Sequence, residues 1–155
     1  SAALSRVSHT VNMVNAPDIA RSSGIAVQSV LMDDPDRFDS TINLIIKTAR
    51  DVHNIKATLF GGHPRIVDIN GVAIDAAITT HMIFIQNKDQ PGMIGALGTV
   101  LANAGVNIAD FRLGRMQGQG STAVALVSID SALSDDVVSR VRAVSQIEMA
   151  KQLRF

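Results

Sequence analysis

The residues best placed to do chemistry lie in one run, Asn87-Lys88-Asp89-Gln90-Pro91-Gly92. It follows a short apolar strand, Met82-Ile83-Phe84-Ile85, and opens an amphipathic helix with Met93, Ile94, Leu97, Val100 and Leu101 on one face. The start of a helix leaves amide donors without intrahelical partners and a partial positive charge, which together suit a carboxylate. Asp89 beside it suits an ammonium, and Asn87 offers both donors and acceptors. A zwitterionic amino acid asks for that combination. A plainer role for Asn87 and Asp89 is to solvate or cap a turn, and spacing alone does not choose between the two.

Other chemistries find little support. Cysteine is absent, which removes disulfides, thiol nucleophiles and cysteine-ligated clusters. His9, His53, His63 and His81 stand far apart with no partner at metal-ligand spacing, and His53 and His63 fall in expected turns. Gly118-Gln119-Gly120 lacks a third glycine opening a helix, so it is not a dinucleotide fingerprint. No phosphate-cradling loop, nucleophile elbow or carboxylate pair is found. No catalytic residue, metal ligand or cofactor site is therefore expected in this chain. The 14 basic and 14 acidic residues balance, whereas a nucleic-acid partner needs clustered Lys and Arg. No run of about 18 apolar residues is present, so no membrane span or secretory leader is expected and the cytoplasm is the expected location.

These residues need a frame to hold them. With 155 residues, 46% of them hydrophobic, the chain can build one average domain or two small ones. It begins without Met and is read as a piece of a longer protein. Leu4, Val7, Val11 and Val14 draw a helical stripe, which Asn15-Ala16-Pro17 interrupts. A second short helix is predicted from Pro17 to Ser23, with Ile19 and Ala20 inward and Gly24 as its left-handed stop. Strands are predicted over 25–32, 41–49, 56–60, 65–69 and 72–76, with turns at 33–36, 51–54, 61–64 and Asn70-Gly71.

From His81 the pattern changes. The strand at Met82 leads to a helix ending near Asn103, with Pro91 in its first turn and Gly105 past its end. Strands over 106–113 and 122–129 flank a loop at 114–120. A helix capped by Ser134 turns Val137, Val138, Val141 and Val144 inward, and a strand over 148–153 follows. That order, β-α-β-β-α-β, is the ferredoxin-like split unit. The predicted class is α+β in two small domains: an antiparallel-sheet αβ domain over 1–80, then a ferredoxin-like βαββαβ domain over 81–155. Met82 to Ile85 carries apolar residues on both faces and reads as an edge strand that invites pairing.

Two motifs carry a resemblance. Asp89-Gln90-Pro91-Gly92-Met93-Ile94-Gly95, followed by Leu101-Ala102-Asn103-Ala104-Gly105-Val106-Asn107-Ile108, resembles the ACT domain family. Upstream, Val11-Asn12-Met13-Val14-Asn15-Ala16-Pro17, Arg21-Ser22-Ser23-Gly24-Ile25, Thr58-Leu59-Phe60-Gly61 and Arg65 to Gly71 resemble the intervening domain of long-form D-3-phosphoglycerate dehydrogenases. Phe111-Arg112-Leu113-Gly114-Arg115 and the terminal Leu153-Arg154-Phe155 are similar to bacterial members of that family.

The resemblance implies a regulatory region that senses L-serine, or a similar small amino acid, for feedback inhibition. The catalytic domains, which use NAD, would lie in the rest of the parent enzyme. It also implies a ligand site at Asn87, Asp89, Pro91 and Gly92, with Asn107 supplied by a neighbouring subunit, and hence a homo-oligomer assembled through ACT domains. Some members bind an anionic effector in the intervening domain; Arg65 matches one basic position of that site, but the second matches Ala77. L-serine dehydratases pair similar domains, and a purely structural oligomerisation module is a third alternative. The segment from Asn12 to Pro17 favours the dehydrogenase.

Overall fold

The structure is a computed structural model that describes residues 12, 14–30, 40–115 and 122–155. The chain divides into two compact units, Ser1–Asp34 and Pro35–Phe155. In the first, helix α1 spans Ala16–Ser22 with Pro17 in its opening turn. The side chains of Asn12 and Asn15 brace its entry: Asn12 Oδ1 accepts from the amides of Val14 and Asn15, and Asn15 Oδ1 from that of Asn12. Gly24, at φ 74°, ends it. The amides of Gly24 and Ile25 then close back onto Arg21 and Ala20. Ile19 and Ala20 are half-buried. The strand predicted from residue 25 does not form over 25–30. Alternation marks a face that could be buried, but a strand also needs a ladder partner, and Ile25, Val27 and Val30 remain 50–74% exposed. The stripe at Leu4, Val7 and Val11 and the turn at 33–36 lie outside the described residues.

The second unit holds two four-stranded antiparallel sheets. The first is a meander, β1 (Thr41–Lys47), β2 (Val52–Phe60), β3 (His63–Ile69) and β4 (Val72–Ala77), paired in that order. Two of its turns use left-handed pairs, Gly61-Gly62 and Asn70-Gly71, whose twist matches the flanking strands. Two turns are placed differently from expectation, and the strand ends beside them shift accordingly. The first turn sits at Thr48–Asp51, because Thr48 Oγ1 accepts from the amides of Arg50 and Asp51 and locks the corner early. His53 therefore lies in β2, and His63 and Pro64 begin β3, with both histidines exposed.

The second sheet comprises β5 (His81–Lys88), β6 (Ile108–Arg115), β7 (Thr122–Ile129) and β8 (Ile147–Arg154), in the spatial order β6-β7-β5-β8. Helices α2 (Met93–Asn103) and α3 (Asp135–Arg142) are its crossovers. This is the βαββαβ pattern, and the class is α+β. Gly105, at φ 68°, ends α2, and the Val106 amide returns to the Leu101 carbonyl. Ser134 Oγ caps α3 by accepting from the Val137 amide. Pro91 does not enter the first turn of α2. Gly92 is the residue before the helix, at φ 94°, so Pro91 precedes it.

The core explains the apolar strand at Met82. Ile83 and Ile85 face α2 and α3 with Leu97, Leu101, Val127 and Val141. Met82 faces the other way, against Ile66, Ile69, Val72 and Ile74 of the first sheet. Strand β5 is therefore central, bonded to β7 and β8, and not the edge that its sequence suggests; β6 and β8 are the edges. Two-faced burial and an exposed edge both select apolar side chains, and sequence alone does not separate them.

Candidate functional site

The junction of β5 and α2 is held by a fault in pairing. The register between β5 and β8 shifts between Gln86 and Asn87, and the Lys88 amide bonds to the Gln146 carbonyl. A bulge of this kind re-aims a side chain at the end of a strand. Asn87 ends up 2% exposed. Its Nδ2 donates to the Lys88 carbonyl at 2.8 Å, while its Oδ1 is buried without a partner. An acceptor left unpaired in this way is costly, and a ligand donor would relieve it.

Around Asn87 opens a cavity of about 230 Å³, which Asp89, Pro91, Gly92, Leu113 and Arg115 also line. Helix α2 starts at its rim, and its first described intrahelical bond runs from the Ala96 amide to the Gly92 carbonyl. The amides of residues 93–95 precede that bond and belong to the unsatisfied first turn. Asp89, 31% exposed at its side chain, lies 3.3 Å from Arg115 Nε. Register explains why Arg115 arrives there. Ala123 on β7 is paired with Asn87 on one side and with Arg115 on the other. The three residues form one row across the sheet, on the face that carries the helices. Nothing in the sequence marked Arg115 as a site residue; its place follows only from counting β6 and β7 into register.

Asn107 is elsewhere. It is exposed, its Nδ2 donates to Asp130 at 2.8 Å, and it sits just before β6. Arg115 ends that strand, roughly 25 Å away at about 3.3 Å per residue. One chain therefore does not bring Asn107 to Asp89.

Arg65 belongs to a second, wider cavity of about 1040 Å³ on the first sheet, with Lys56, Thr58, Asp75 and Arg112. Its guanidinium is paired with Asp75, and Arg112 with Asp110 at 2.8 Å. The hydrogen bond to Asp110 raises the pKa of Arg112, which stays charged. Ala77 is the ladder partner of Arg65 and adds no charge. Among the described residues, no cluster of His, Asp or Glu could hold a metal ion, and no helix is long and apolar enough to cross a membrane.

Comparison with known proteins decides what these two sheets are. Residues 81–146 match the ACT domain family, and residues 1–70 match the D-3-phosphoglycerate dehydrogenase intervening domain. The chain joins a D-3-phosphoglycerate dehydrogenase intervening domain to an ACT domain. The D-3-phosphoglycerate dehydrogenase of Bacillus subtilis is 34% identical over 149 residues, which cover 94% of this chain and 28% of that enzyme. The Synechocystis enzyme of the same name is 33% identical, again over 94% of this chain and 26% of its own length. That of Methanocaldococcus jannaschii is 24% identical over 89% of the chain. The chain thus spans about a quarter of the curated relatives it matches. The small cavity lies within the stretch that matches the ACT domain family.

Proposed function

We propose that this chain is the C-terminal regulatory region of a cytoplasmic, NAD-dependent D-3-phosphoglycerate dehydrogenase, and that it senses L-serine through its ACT domain. The domain division we propose is 1–80 and 81–155. The observation that carries the proposal is the cavity at the β5–α2 junction, where a carboxylate, a buried orphan acceptor and free helix amides converge. L-serine brings an ammonium, a carboxylate and a hydroxyl, and each must be met when it leaves water. Asp89 takes the ammonium, the amides at the start of α2 take the carboxylate, and Asn87 serves the hydroxyl.

Asn107 enters from a second copy. If two β6 edges pair antiparallel about their centre, the residue before one strand comes beside the end of the other. Asn107 of one copy then meets the cavity of its neighbour, and the two sheets become one with all helices on one face. The NAD of the parent enzyme is assigned to its remaining domains. The β5–α2 turn has no glycine fingerprint and holds the Asp89 carboxylate where a pyrophosphate would have to lie, so this junction does not suit that cofactor. Arg65 is retained as a candidate anion contact, which would require its pair with Asp75 to open.

The test is calorimetric titration of the chain with L-serine. Saturable binding is expected, with Asp89→Ala and Asn107→Ala each weakening it roughly ten- to a hundred-fold, the usual cost of a charged hydrogen bond. Binding that neither substitution alters would put the ligand elsewhere. Absence of any binding would leave a structural oligomerisation module.

A further inference from the structure

We propose that Arg115 joins the helix amides in binding the ligand carboxylate at this site, and that its ion pair with Asp89 is the resting form of a receptor for a free α-amino acid. This rests on the amino-acid reading of the cavity and extends it to a residue which that reading does not use. In the structure the two charges face each other at 3.3 Å at the mouth of the cavity. The contact has no hydrogen-bond geometry, unlike the pairs Arg112–Asp110 and Arg65–Asp75, which are hydrogen-bonded. The fork of the guanidinium and the oxygens of Asp89 therefore keep their donors and acceptors for another partner.

The chemistry of an α-amino acid fits that gap. Its ammonium and carboxylate hang from the same carbon, so a pair of opposite charges already in near contact needs only to part slightly to take one each. Arg115 is 65% exposed at its side chain, and can swing without disturbing the core. Asn87, by contrast, is fixed beneath with its Oδ1 unpaired, ready for a donor on the ligand side chain. A planar fork that meets a carboxylate with two parallel bonds distinguishes amino acids from amines, which Asp89 alone cannot do. Arg115 is thus a specificity residue, not a structural one.

Calorimetry with two ligands tests this. Ethanolamine has the ammonium and hydroxyl of L-serine and lacks its carboxylate. The unaltered chain should bind L-serine much more tightly than ethanolamine. Arg115→Ala should weaken L-serine roughly ten- to a hundred-fold and leave ethanolamine no weaker, so that the preference collapses. Arg115→Lys, which keeps the charge but loses the fork, should fall between. Far-UV circular dichroism and thermal midpoint should be unchanged in both variants. Unaltered L-serine binding in Arg115→Ala, or equal tightening of both ligands, would show Arg115 to be a bystander or a mere competitor for Asp89 and overturn the inference alone. Failure of L-serine to bind the unaltered chain would instead remove the amino-acid site itself, and this inference with it.

Discussion

Asn87 is buried by a slip in strand pairing, and Asn107 is held in the open by one carboxylate; the two asparagines need different tests. For Asn87→Ala we expect a smaller loss of L-serine binding than for Asp89→Ala, because a neutral hydrogen bond contributes less than one to a charge. Asp130 accepts a hydrogen bond from Asn107, and on the proposed reading it positions that residue for the neighbouring copy. Asp130→Ala should weaken L-serine less than Asn107→Ala, and Asp130→Asn, whose amide oxygen still accepts from Asn107, should restore most of the loss. Equal effects of the Ala and Asn variants would deny that role. That Asn87 and Asp89 share one junction was legible because both sit in the few residues before a clear helix. Arg115 was not, since a residue's neighbours across two strands depend on register and bulges that no local pattern records.

At the scale of elements, β4 and β6 approach unusually closely. A Cβ added at Gly114 would stand 2.6 Å from the Ala73 carbonyl oxygen and 2.7 Å from Val72 Cγ1. The backbone oxygen cannot rotate away as a side chain would, so Gly114→Ala should destabilise the fold by about 1–3 kcal/mol, read as a lower urea midpoint. An unchanged midpoint would mean that the strands do not meet in this way. Ser134→Ala should cost about 1 kcal/mol through loss of the α3 cap. Helix ends and left-handed turns could be read from the sequence, because Gly24, Gly105, Asn70 and Gly71 each answer a local backbone need. The expected strand does not form over 25–30, and the edge position of β5 was misread. Whether an apolar strand is unpartnered, at an edge or central depends on what distant residues do with its two faces.

Among the described residues the second sheet has two edge strands, β6 and β8, and the site as proposed takes its last residue from a second copy at the first of them. Light scattering at tens of micromolar should therefore report a dimer or a larger even assembly. L-serine should shift any remaining monomer into it, since a ligand held by both copies stabilises their union. A monomer that is unmoved by saturating ligand would refute edge pairing.

Met82, Val124 and Leu126 of the second sheet share a core with Ile66, Val72 and Ile74 of the first, although the family boundary falls between them. A chain trimmed to begin at residue 81 would expose that entire apolar face to water and should precipitate or self-associate on expression. The two sheets should also melt together, in one calorimetric transition. A cut placed between the two family matches would therefore run through the middle of one shared core.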